Sequence, residues 1–437
     1  LRILPDRILL VGENNLHENK KIKILTLSDH PLLPSGVGTQ TKYVIEALLK
    51  TGRYQVISLG GAISHPNYQP MKTDQYGDDW LIFPVNGYGD QNVLRSFLKE
   101  HQPDILYFMT DPRFYEWLWK IEDEVRANVP MVYYHVWDNF PAPVFNKQWY
   151  ESNDVIATIS KVTSDIVKEV SPQVEEVYIP HAVPPYFDPK SSPEDLHIIN
   201  EMRKNNLGGK EKTLFFWNNR NARRKQSGTL LFWFKEFLDK VGHDNACLLM
   251  HTDINDPNGQ PLDFLSQHLG LSNGQVLFSK NKLSSQQMAL MYNMADCTIN
   301  ISDAEGFGLA TLESLSCGTP IVVSMTGGLQ EQVTDGENWF GIGIEPCSRS
   351  VIGSPSVPYI YEDRISKDDF INALVDIHEM SSDDRKALGL KGRQHVIDNY
   401  NFETFEKQWV TLMDKTYEEN GSWENRKNYK RWESKEL

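Results

Sequence analysis

Two α/β domains, each a doubly wound parallel sheet with helices on both faces, are the fold class this sequence predicts. Three observations carry that prediction. Short apolar, β-branched runs alternate with helical spacings through residues 21–183, the pattern of successive strand–helix–strand units. Residues 184–195, PPYFDPKSSPED, then hold four prolines and few apolar side chains, which suits a linker. The alternation restarts at 213, and 437 residues exceed one ordinary core. The expected division is a first domain over 21–183, a linker over 184–210, a second domain over 211–400, and a terminal helix and tail over 401–437.

In chain order, residues 1–20 form an extension with one short apolar run and support no functional reading. The first strand is KIKILTLSDHP (21–31), and it runs into the glycine turn Pro34-Ser35-Gly36-Val37-Gly38-Thr39. Tyr43, Val44, Ala47 and Leu48 then fall at helical spacing. A glycine turn there stands at the carboxyl end of a parallel strand, where open α/β sheets take ligands. A plain tight turn fits the same residues. Strands are expected at 51–61, 78–85, 104–110, 131–138, 154–160 and 174–183, with a helix at 92–101. After the linker and a short helix, TLFFWNN (213–219) opens the second series, which continues through 230–238, 246–253, 275–279 and 286–294. The segment 345–366 reads as a loop or hairpin insertion. Helices follow at 367–380, 382–399 and 402–419, and a charged, solvated tail begins at 420.

The composition is that of a folded chain, with 40% hydrophobic and 24% charged residues. A formal charge of −15 works against non-specific attraction to nucleic acid or an anionic membrane. No stretch approaches the roughly 20 apolar residues that span a bilayer. Residues 1–20 carry no secretory pattern. The four cysteines, Cys247, Cys297, Cys317 and Cys347, form no Cys-x-x-Cys pair, so the expected location is a reducing cytoplasm, with peripheral membrane attachment left open.

The chemistry concentrates in SDAEGFGLATLESLSCGTPIVVSMTGG (302–328). Residues 296–302 read as a buried strand, Glu305-Gly306-Phe307-Gly308 as a turn, and Leu309, Leu312 and Leu315 as a helix. A glycine turn opening a helix offers unpaired N–H groups and the positive end of the helix dipole to a phosphate. Glu305 and Glu313 bracket it. Carboxylates repel phosphate but accept hydrogen bonds from sugar hydroxyls, so a ligand with both a phosphate and a polyol satisfies the set. An ordinary capped strand–helix–strand unit fits the same pattern.

The run Trp217 to Lys225, WNNRNARRK, follows a strand and places Arg220 and Lys225 where they can neutralise a diphosphate. HVWDNFP (135–141) puts His135 and Asp138 in another strand-end loop, among aromatics that suit either sugar stacking or core packing. No Asp-x-Asp pair occurs and no His, Cys, Asp and Glu set has metal spacing. Charge on a leaving phosphate must then be met by Arg, Lys and helix amides.

Taken together, these residues resemble the retaining nucleotide-sugar glycosyltransferases of family 4, which have the two-domain GT-B fold. Glu305 and Glu313 match that family's paired glutamates, Arg220 and Lys225 its Arg–Lys pair, and Gly36-Val37-Gly38 its first-domain glycine loop. The likeness is strong over 210–340, weaker over 21–182, and absent from 1–20 and 345–366. It implies that Arg220 and Lys225 bind the donor diphosphate. Glu305 would contact the transferred sugar, Glu313 the ribose, and the amides of Phe307, Gly308 and Leu309 the distal phosphate. The family's first-domain His–Asp pair falls on Trp137-Asp138 or on His135. The terminal helix would cross back to the first domain.

The implied reaction is metal-independent, retaining transfer of a sugar from a UDP- or GDP-sugar, a co-substrate rather than a cofactor. The acceptor is a hydroxyl on a glycan, lipid or small molecule, a modified DNA base being less suited to so acidic a chain. Two other classes stay open from the residues alone: a non-catalytic nucleotide-sugar binder, and a dinucleotide-dependent oxidoreductase using the near-fingerprint Gly306 to Thr311.

Overall fold

The computed structural model describes residues 20–208 and 211–433. The extension 1–20, Lys20 apart, and positions 209–210 of the expected linker lie outside them. The first sheet is built from β1 (Ile22–Asp29), β2 (Tyr54–Gly61), β3 (Met71–Lys72), β4 (Trp80–Pro84), β5 (Ile105–Thr110), β6 (Met131–His135), β7 (Val155–Thr158) and β8 (Glu175–Tyr178). Its order is β3-β4-β2-β1-β5-β6-β7-β8. All pairings are parallel except that of β3, a two-residue edge strand antiparallel to β4. The second sheet holds β9 (Thr213–Asn218), β10 (Ala246–His251), β11 (Val276–Ser279), β12 (Cys297–Asn300), β13 (Ile321–Ser324) and β14 (Gly341–Ile344), in the wholly parallel order β11-β10-β9-β12-β13-β14.

Both sheets are buried on both faces, and strand alternation sorts the side chains. Leu214 and Phe216 of β9 enter one apolar cluster, Phe215 and Trp217 another. The cluster holding Leu214 and Phe216 continues into the first domain through Ile24 and Tyr107, so the two domains share a core along one side. Each sheet also reverses its winding at one point, β1/β5 in the first and β9/β12 in the second. Crevices for ligands open there, at the carboxyl ends of the strands.

Gly36-Val37-Gly38 is not a turn but the first turn of the helix Gly36–Lys50, capped by Ser35, whose Oγ accepts from Gly38 N–H (2.9 Å). The segment 345–366 is a hairpin outside both sheets, β15 (Pro346–Ser354) against β16 (Val357–Ile365). The helix Phe402–Asn420 buries Phe405, Trp409, Leu412, Met413 and Thr416, an i, i+4, i+7, i+8, i+11 stripe. That stripe packs on the first domain, with the Trp409 ring 4.7 Å from Tyr134 and 5.5 Å from Tyr107. The expectation of a solvated tail needs correction as far as Tyr429, whose OH donates to Asp123 (2.8 Å), while residues 430–433 are exposed. Ser422 Oγ donates to Asp104 (2.8 Å), Trp423 Nε1 to the Pro103 carbonyl (2.8 Å), and Arg426 to Asp154 (2.7 Å). No helix among the described residues is long and apolar enough to cross a membrane.

Candidate active site in the interdomain cleft

The two reversal points face one another across a cleft of about 630 Å³. From the second domain, the loop after β9 brings Arg220, Arg224 and Lys225, and the loop after β12 brings Glu305 to Leu309. From the first, the end of β1 brings Asp29, the cap and first turn of the helix Gly36–Lys50 bring Ser35 to Val37, and the loop after β6 brings Asp138. The halves approach closely. A Cβ placed on Gly36 would lie 3.2 Å from Leu309 Cδ1, and one on Gly306 would lie 2.9 Å from Asp138 Oδ1.

Glu305 and Lys225 form a buried, hydrogen-bonded ion pair at the base of the cleft. Burial pushes the Glu305 carboxyl up, but Lys225 and Arg224 outweigh it and hold it at about 2. Burial and the neighbouring Arg224 charge pull Lys225 below the ordinary ammonium range, and Glu305 counters them. Asn300 Nδ2 and Ser302 Oγ each donate to Glu305 Oε2 at 3.4 Å. Arg224 lies between acids of opposite domains, 3.8 Å from Glu305 and 3.8 Å from Asp138, with Nη1 donating to the Ala304 carbonyl (2.6 Å).

Arg220 stands at the cleft edge, gripped by Asp256 through Nε (2.7 Å) and Nη2 (3.3 Å), and that guanidinium holds Asp256 at about 2. Glu313 sits one turn into the helix Leu309–Ser316. Burial raises its carboxyl to about 7, against the opposing effect of Tyr292 OH donating to Oε2 (2.7 Å). Asn218 Nδ2 in turn donates to Tyr292 OH (2.8 Å), tying the end of β9 to this helix.

Gly308 caps the helix with φ 93°, a left-handed conformation that favours glycine, and the first-turn amides beyond it have no intrahelical acceptor. The Phe307 side chain is buried against His181 (5.1 Å) and Tyr400 (5.9 Å), an arrangement that packs the ring in the core.

Two of the expected site residues are not at the site. His135 is fully buried in β6, with Nε2 bonded to Tyr150 OH (2.7 Å) and Nδ1 to Tyr133 OH (3.1 Å). Burial lowers it to about 3, and it does not line the cleft. Gly38 lies behind the cleft wall, its N–H engaged by Ser35, and a Cβ there would meet the His30 carbonyl at 2.7 Å. Conversely, Arg224 and His181 line the cleft and were not singled out. Arg224 stands in the same basic run as Lys225, but choosing between adjacent arginines needs the short 3-10 turn Arg223–Lys225. His181 gives no sequence signal beyond being a lone histidine.

Residues 198–352 match the family model described as Glycosyl transferases group 1. The chain is 29% identical over 161 residues to an MMP alpha-(1->4)-mannosyltransferase of Mycolicibacterium hassiacum, covering 37% of this chain and 33% of that protein. It is 25% identical over 238 residues to Alpha-1,3/1,6-mannosyltransferase ALG2 of Dictyostelium discoideum, covering 52% and 50%. The chain thus spans a third to a half of the length of these two relatives. Among solved structures, sucrose-phosphate synthase from Thermosynechococcus elongatus superposes with a TM-score of 0.72 at 16% identity, over 91% of this chain and 100% of that one. Anabaena HepE, in complex with UDP and glucose, superposes with a TM-score of 0.63 at 16% identity, over 90% and 100%. The fold is GT-B: two facing α/β domains with a last helix that returns to the first.

Proposed function

We propose that this chain is a glycosyltransferase that carries a sugar from a nucleoside diphosphate to an acceptor hydroxyl, retaining the anomeric configuration and needing no metal. One observation carries the reading: the buried Lys225–Glu305 pair, flanked by Arg224, sits below a helix N-terminus at the sheet's reversal point, directly opposite the helix start of the other domain. Cations and amides suit a diphosphate, and the two carboxylates suit hydroxyls. The likeness to glycosyl transferases group 1 over 198–352 covers this half of the cleft.

In this reading Arg220, Lys225 and the amides of Phe307, Gly308 and Leu309 hold the diphosphate. Gly36 and Val37 close over it from the first domain. Glu313 takes the ribose hydroxyls. Glu305, with its charge fixed by Lys225, takes hydroxyls of the sugar, and Asp138 faces the reacting carbon from the other side. The bond from the anomeric carbon to the diphosphate oxygen breaks as the acceptor oxygen approaches on the same face. The acceptor proton passes to the departing diphosphate, whose growing charge Lys225 and Arg220 stabilise. Because Glu305 is already committed to Lys225, it is disfavoured as a covalent nucleophile. The donor base we assign to uracil or guanine. The acceptor classes we assign are a glycan, a lipid or a small molecule, a modified DNA base being less suited to a chain of formal charge −15.

The test is donor turnover with UDP- and GDP-sugars. Lys225→Ala and Arg220→Ala should each lower it by about a hundredfold or more. EDTA should leave it unchanged, and proton NMR should show the donor's anomeric configuration in the product. Near-normal turnover in both variants would overturn the assignment.

A further inference from the structure

The hairpin of β15 and β16 belongs to neither sheet, yet it touches both catalytic loops. Toward the first domain, Val357 is buried in the cluster that holds Trp137 and Ala142. Tyr359 meets Phe145 edge-on (5.0 Å), and Phe145 meets Trp137 the same way (5.9 Å), so a line of rings ends beside Asp138. Tyr359 OH donates to the Ala142 carbonyl (3.3 Å), and Tyr361 N–H donates to the Phe140 carbonyl (2.7 Å).

Toward the second domain, Asp363 N–H donates to the Asp303 carbonyl (2.8 Å), and Arg364 Nη1 donates to Asp303 Oδ1 (3.0 Å). Asp303 lies two residues before Glu305, and its N–H donates to the Arg224 carbonyl (2.8 Å). Glu362 pairs with Arg223, the neighbour of Arg224. At the junction sits the Asp363 carboxylate, 2% exposed. It accepts from Asn139 Nδ2 of the first domain (2.8 Å), from Thr326 Oγ1 of the second (2.7 Å), and from Arg349 Nε of the hairpin itself (2.6 Å).

We propose that this hairpin is a clasp that fixes the two domains in register, with Asp363 as a positioning residue that sets Asp138 over Glu305. The proposal rests on the glycosyl-transfer reading for its catalytic half alone; the mechanical half stands independently. A buried carboxylate engaged by three donors from three segments holds its partners rigidly, since Asn139 and Thr326 are themselves buried and would lose their shortest acceptor without it. Arg220, Lys225 and Glu313 all belong to the second domain. Loosening the clasp therefore keeps the second-domain nucleotide contacts and misplaces the first-domain half of the site, Gly36 and Val37 with Asp138.

The experiment places spin labels at Lys99→Cys on the first domain and Lys240→Cys on the second. The background is Cys347→Ser, since Cys347 is exposed while Cys247, Cys297 and Cys317 are buried. Distance distributions are compared for this protein, for Asp363→Asn, and for the double variant Val357→Ser, Tyr359→Ala. Far-UV circular dichroism checks that each is folded, and Asp363→Asn, which keeps the size of the side chain, serves if the double variant is not. The unmodified clasp should give one narrow distance, and both variants a broader and longer distribution. In parallel, UDP and GDP affinity by calorimetry should fall by no more than about threefold, the loss of the Gly36 and Val37 contacts, while donor turnover falls about tenfold or more. An unchanged narrow distance in folded variants overturns the clasp. Widened distances with unchanged turnover overturn the positioning role of Asp363. Absence of nucleotide binding and turnover in the parent overturns the glycosyl-transfer reading instead and leaves the distances to judge the clasp.

Discussion

Lys225 and Glu305 constrain each other more tightly than any other charged pair lining the cleft, and the consequences can be measured separately. Lys225→Ala leaves a buried carboxylate with only the more distant Arg224, at 3.8 Å, as counter-charge, which should cost about 3 kcal/mol of stability as well as activity. Pairing it with Glu305→Gln should recover most of the stability in a denaturant titration and none of the turnover. Glu313 behaves in the opposite sense. An unfolded glutamate loses its proton near 4.5, whereas buried Glu313 keeps it to about 7. Stability contributed by the protonated group is therefore lost as pH rises through that window. Ribose hydroxyls favour the charged form, so UDP or GDP should bind more tightly as pH rises through 7, and Glu313→Gln should flatten the calorimetric profile. At this scale the sequence was legible where spacing and charge agreed, as in the two glutamates and Lys225. It misled at His135, and the reason is parity. Met131, Tyr133 and His135 alternate onto the same face of β6, and the first two are buried in one cluster. Asp138 lies beyond the strand, where the alternation no longer binds it.

Among the elements, the helix Leu309–Ser316 depends on its glycine cap. A side chain at Gly308 would need a left-handed backbone and would stand 2.6 Å from Leu329 Cδ2. Gly308→Ala should lower stability by about 1–2 kcal/mol through the backbone alone and weaken nucleotide binding, with calorimetry and a urea midpoint as readouts. The expected strands recur within a few residues because β-branched runs between turns leave few other options. Short elements escaped notice, among them the helices Glu116–Trp119, Glu122–Arg126 and Lys147–Glu151, which are too brief to display a period. The first-domain glycines read as a turn because glycine favours turns, whereas Gly36 and Gly38 lie in the first turn of a helix capped by Ser35. The 345–366 insertion was visible as an interruption, but its purpose was not, since its partners lie some two hundred residues away at Asn139 to Phe145.

For the molecule as a whole, two alternating series separated by prolines were enough to suggest two sheets, whereas the cleft between them is set by contacts between residues far apart in the chain. The returning helix is one such contact. Trp409→Ala should cost about 3–5 kcal/mol, read as a lowered thermal midpoint, because its ring is fully buried against Tyr107 and Tyr134. Residues 402–433 complete the core of a domain whose strands all lie before residue 179. During synthesis, the first half of the chain therefore leaves the ribosome with Tyr107 and Tyr134 uncovered, and the second sheet is finished before the first domain is sealed. Of the two domains, the one made first is the one completed last, so its folding is tied to the synthesis of the whole second domain and the helix Phe402–Asn420.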